Sequence, residues 1–102
     1  MPFCKESNKL VGSSNFSAWK KRTDLNLIED EVMDHIEGSN VSPPKEDTSA
    51  HAKYMKGEIR AQIILIESIK DSLIPYVSKV KTAKQIYEKL VKKYGQRAIL
   101  WM

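Results

Sequence analysis

From Ala52 the apolar residues of this 102-residue chain step by three and four: Ala52, Met55, Ile59, Ile63, Ile66, then Ile69 or Lys70, and Leu73. That interval is the period of one helix face, and it predicts a helix from about Ser49 to Ile74, stopped by Pro75. A chain of this length has room for one hydrophobic core and no second domain. Gly57, inside the helix, disfavours it by about 1 kcal/mol relative to Ala. It marks either a close crossing by another helix, the favoured reading, or a weak point.

The same period recurs on both sides. Phe16, Trp19, Thr23 and Leu27 form one stripe and Leu25, Ile28, Val32 and Ile36 a neighbouring one. They predict one helix, or two consecutive ones, from about Phe16 to Glu37, with Asn15 as N-cap, Gly38 as the left-handed closing residue and a break near acidic Asp30. Residues 39–48, with Pro43-Pro44, Ser and Asn, are loop chemistry. Thr82-Ala83-Lys84-Gln85 fits a capping box, and Ala83, Ile86, Tyr87, Leu90, Val91 and Tyr94 then share a face of a helix running to Tyr94, with Gly95 as its C′ residue. The expected fold is all-α, a small bundle of about four to five helices. Residues 1–14 read as an N-terminal tail, 15–95 as the helical domain with a 39–48 loop, and 96–102 as the truncated start of a further helix.

Composition narrows the function classes. Apolar residues are 41% and charged residues 29%, near globular averages and away from the disordered extreme. No apolar run approaches the roughly 20 residues of a membrane span, and the first residues lack a secretory signal, so a cytoplasmic protein without membrane contact is expected. Cys4 is the single cysteine, which leaves no intrachain disulfide and no four-ligand zinc site beside His35 and His51. Residues 1–74 carry 10 Lys/Arg against 12 Asp/Glu, a balance of −2, whereas 75–102 carry 7 against 1, a balance of +6. An anionic partner would sit at the basic end.

No catalytic or cofactor motif stands out: there is no phosphate loop, no HExxH and no clustered cysteine. His35 and His51 read as hydrogen-bonded or solvated surface residues, Lys20-Lys21-Arg22 as a wet helix face, and Cys4 has no role. The better candidates for nucleic-acid contact are Lys84, Lys89, Lys92, Lys93 and Arg97, because RNA affinity begins with cations neutralising phosphates. A solvated helix face explains the same residues. Phe16, Trp19, Tyr87 and Tyr94 could stack bases, but their inward stripes point to core packing.

The order Leu10-x-Gly12-x-x-Asn15-Phe16-x-x-Trp19, then Leu27, then Ile36-x-Gly38, then Thr82-Ala83-Lys84-x-Ile86-Tyr87-x-x-Leu90-x-x-x-Tyr94 resembles the Gag-type, capsid-precursor segment of copia retrotransposons, common in plant genomes. The likeness spans roughly residues 9 to 95. It implies a non-enzymatic helical protein that self-associates into a capsid-like particle around element RNA, with no small-molecule substrate and no cofactor. The helices and zinc knuckle that follow in the family are missing here, and Tyr87 stands where the family often has Trp. Ile99, Leu100 and Trp101 form an apolar end and are the expected site of homo-oligomerisation, dimerisation first. Two other readings stay open: a host-adopted, Gag-derived adaptor for another protein or RNA, and a helix-turn-helix DNA-binding domain.

Overall fold

The first helix, α1 (Phe16–Glu29), follows a single 3-10 turn at Ser13–Asn15 and buries the stripe expected of it, Phe16, Trp19, Thr23 and Leu27. In this computed structural model, which describes residues 5–38, 43–44 and 46–95, the chain leaves α1 through a Schellman turn. Val32 N–H donates to Leu27 O (2.9 Å) and Glu31 N–H to Ile28 O (3.0 Å), with Glu31 in the left-handed region at φ 61°. Leu27 and Val32, the pair whose apolar contact frequently accompanies such turns, are both buried in the core cluster. The break between two helices therefore lies at Asp30–Val32, and α2 (Met33–Glu37) begins beyond it. Gly38, at φ 80°, ends α2 with its N–H on Asp34 O.

Asn15 does not cap α1. Its Oδ1 accepts from Val11 N–H (3.1 Å) and its Nδ2 donates to Lys9 O (2.9 Å), so its amide clamps the preceding strand of chain instead. That clamp holds Leu10, which lies in the expected tail yet is fully buried, against Ile69: Leu10 N–H donates to Ser68 O and Lys70 N–H to Leu10 O.

The long helix α3 (Thr48–Glu67) is capped by Asp47, whose carboxylate accepts from Ala50 N–H. It ends seven residues earlier than the stripe suggests. At Ser68 the hydroxyl donates to Leu65 O (2.7 Å) and the backbone then leaves the helix to pair with Leu10, which stops the helical ladder. Pro75 likewise opens a helix rather than closing one. It sits in the first turn of α4 (Ile74–Val77), where its fixed φ and missing N–H fit.

The capping box is present in full before α5 (Ala83–Leu90): Gln85 N–H donates to Thr82 Oγ1 and Thr82 N–H to Gln85 Oε1. The helix then widens into a π-turn at Val91–Gly95. Gly95 is not the left-handed C′ residue expected. It is buried, and a Cβ there would lie 3.0 Å from Phe16 Cζ, so its place is a close approach to α1.

The result is an all-α fold of five α-helices among the described residues, joined to short 3-10 and π turns. Its core gathers Leu10, Trp19, Leu27, Leu65, Ile69, Val77 and Leu90, all at most 1% exposed. No helix among the described residues is long and apolar enough to cross a membrane.

Candidate functional site

The sequence stripe on α3 and the buried face of α3 are different faces. The core-facing residues are Glu58, Ala61, Ile64 and Leu65, while Met55 (40% exposed), Ile59 (53%) and Ile63 (40%) look outward. Both faces are apolar, so a 3.6-residue period could not say which turned in.

The inward face carries a buried carboxylate, Glu58, that no motif or period singles out. Glu58 Oε2 accepts from Ala83 N–H at the start of α5 (2.6 Å) and from Gln62 Nε2 (2.8 Å), and Oε1 lies 3.3 Å from Nδ1 of His35 on α2. With an ionised carboxylate, which can only accept, this contact is a hydrogen bond in the tautomer that carries a proton on Nδ1. The negative charge also faces the positive end of the α5 dipole. One side chain thus binds α2 and the start of α5 to α3. The available signal was Gly57 beside it: a Cβ at that position would stand 2.5 Å from His35 Nε2, so the glycine admits the imidazole. The close-crossing reading of Gly57 fits this contact. The surface reading of His35 does not, because the residue is buried and stacks on Tyr54 at 4.9 Å.

Beside this cluster, between α2 and the start of α3, lies a cleft of about 760 Å³ rimmed by Asp30, Glu31, Asp34, Lys53 and Tyr54. Asp34 Oδ1 and His51 Nδ1 are buried without a hydrogen-bond partner among the described residues. Among the described residues no group of three His, Cys, Asp or Glu is placed to hold a metal ion.

Residues of the family-like motif converge on the core. Leu10, Phe16, Trp19, Leu27, Ala83, Leu90 and Tyr94 are buried, and Gly12 and Gly38 lie at turns. Trp19 stacks between Phe16 (5.6 Å) and Tyr87 (6.2 Å) and donates its indole N–H to Ser68 Oγ at 2.8 Å. Tyr87 is half-buried, with its hydroxyl donating to Asp24 Oδ1 (2.7 Å) while Lys20 holds Oδ2 (2.7 Å). Burial, reinforced by the Asp24 contact, pushes the Tyr87 phenol up from its ordinary value. The hydrogen bond to Asp24 does the same for the Lys20 ammonium. Lys20 is therefore part of a tie between α1 and α5, more than one member of a wet basic run.

The basic candidates divide. Lys89 and Lys93 converge on the ring of Tyr76, at 4.7 and 4.0 Å from its centroid, and Lys93 also reaches Tyr94. Lys84 pairs with Glu88 (3.7 Å) and Lys92 is exposed. Together with Lys79 and Lys81 they make residues 75–95 a basic segment whose single acidic side chain is Glu88. Arg97, Ile99, Leu100 and Trp101 lie outside the described residues. No protein-family model, curated protein or solved structure matches the chain.

Proposed function

We propose that the chain is a non-enzymatic structural domain that associates with copies of itself, in keeping with the resemblance of its motifs to a copia-type Gag segment. The observation that carries this reading is the exposure of six large apolar side chains, Val11, Leu25, Ile28, Met55, Ile59 and Ile63, each at least 40% exposed. Single exposed apolar residues are ordinary, but a run of three on one helix face recruits a cover. The polar clusters support the same reading. Glu58 reaches His35 and the start of α5, and Tyr87 reaches Asp24, so these groups join helices to one another.

The basic 75–95 segment supports an accompanying contact with RNA, since its cations are held on aromatic rings at the surface and neutralising phosphates releases counterions. The test is light scattering on the full chain over a concentration series, alongside Leu100→Ala and Trp101→Ala and a titration with single-stranded RNA at several salt concentrations. Mass above the monomer supports assembly. A strict monomer at about 1 mM, where a contact worth ~4 kcal/mol is half formed, contradicts it. RNA affinity that falls steeply with salt supports the retroelement role. Tight capture of a protein partner by a monomeric chain favours the adaptor.

A further inference from the structure

The outward face of α3 is palindromic. Counting from Ile59, apolar residues stand four away on each side, Met55 and Ile63, and seven away on each side, Ala52 and Ile66. At 3.6 residues per turn these five occupy about 80° of the helix circumference, centred opposite the buried Ala61 and Ser68. Ala52, Met55, Ile59 and Ile63 are exposed, while Ile66 is half-buried where the helix nears its end. A helix apolar on two opposite faces is normally covered on both. Here the core covers one.

We infer that the second cover is the same face of a second copy of this chain, packed antiparallel about Ile59. The inference rests on the self-association reading and names its surface. A reversed copy sets Met55 against Ile63 and Ala52 against Ile66 in both directions, and only a self-complementary face can do this around a two-fold axis. The charges agree with the reversal. Lys53 and Glu67 lie on the same flank of the stripe, six residues before and eight after Ile59, so each Glu67 comes within about 3 Å along the axis of Lys53 of the second copy. The cation that the reversal brings toward Lys56 is Arg60, whose charge Asp30 already balances at 2.7 Å. The same ion pair fixes the end of α1, which carries exposed Ile28, beside the middle of α3. Antiparallel packing also opposes the two helix dipoles.

The test compares the full chain with Ile59→Glu and with Leu100→Ala and Trp101→Ala by sedimentation equilibrium, with far-UV circular dichroism as the check on folding. Ile59 is half exposed, so the fold should tolerate the glutamate. The expected result is a dimer whose association constant falls at least about 100-fold in Ile59→Glu, from a charge placed at the centre of an apolar contact, and is unchanged in the two C-terminal variants. A second readout fixes the register. In a Cys4→Ser background, Ile59→Cys should oxidise to a disulfide-linked dimer faster than Val11→Cys, a comparably exposed position on another segment. A dimer indifferent to Ile59→Glu, or equal cross-linking at both cysteines, overturns the α3 face while leaving self-association standing. A dimer dissolved only by the C-terminal substitutions moves the interface to residues 99–101. A wild-type chain that stays monomeric overturns both this inference and the reading beneath it.

Discussion

At Gly57 two effects of known size oppose each other. Alanine in a helix interior is worth about 1 kcal/mol over glycine, but its Cβ would stand 2.5 Å from the buried imidazole of His35, and overpacking a core costs about 1–3 kcal/mol. At 2.5 Å the clash should win, so Gly57→Ala is expected to lose up to about 2 kcal/mol in urea unfolding, the overpacking cost less the helix-propensity gain. In a His35→Ala background the same substitution should become neutral or stabilising, which a double-mutant cycle reads directly. Glu31 gives the opposite sign. It holds the left-handed position of the Schellman turn, where a side chain costs about 1–2 kcal/mol, of which the added freedom of an unfolded glycine takes back about half. Glu31→Gly should therefore stabilise by about 0.5–1 kcal/mol, seen as a higher urea midpoint.

Among the elements, α3 shows where sequence reading works and where it fails. Its existence followed from the interval between apolar residues, and so did the stripe of α1 and the capping box of α5, because each is a local pattern with one physical solution. The inward face of α3 did not follow, since Ala61, Ile64 and Leu65 on one side and Met55, Ile59 and Ile63 on the other obey the same period. Its end did not follow either: Ser68 stops the ladder to meet Leu10, a partner 58 residues earlier in the chain that no local window contains. Glu58 escaped for a related reason, because a buried carboxylate is recognised by its donors, here Ala83 and Gln62 and the ring of His35. The two faces differ measurably. Ile64→Ala, at a site 2% exposed, should cost about 2–4 kcal/mol, and Ile63→Ala less than about 1 kcal/mol, in monomer unfolding.

The tie between α1 and α5 adds a pH dependence. The Tyr87 phenol and the Lys20 ammonium both titrate above their ordinary values of 10.0 and 10.5, so each holds its proton more tightly in the folded chain than in the unfolded one. The stability they contribute is fully present below those ordinary values and is lost as pH rises through the raised ones. The urea midpoint is expected to hold steady at neutral pH and to fall above about pH 10, with a shallower fall in Tyr87→Phe, which keeps the ring on Trp19 and removes the ionisable group.

For the molecule as a whole, one helix serves two ends. Its inner face, closed by Glu58 and Leu65, organises the bundle, and its exposed outer face, centred on Ile59, is the one proposed to meet a second copy. The proposed self-association requires such a division, because assembly must not draw on the contacts that keep each subunit folded. Association and folding are then linked by mass action, so the melting temperature itself carries the answer. Melting the wild-type chain and Ile59→Glu across a hundredfold range of protein concentration should show a midpoint that climbs by about a few degrees with concentration in the wild type and stays fixed in the variant. A wild-type midpoint independent of concentration, or a climb that Ile59→Glu retains, would contradict assembly through α3.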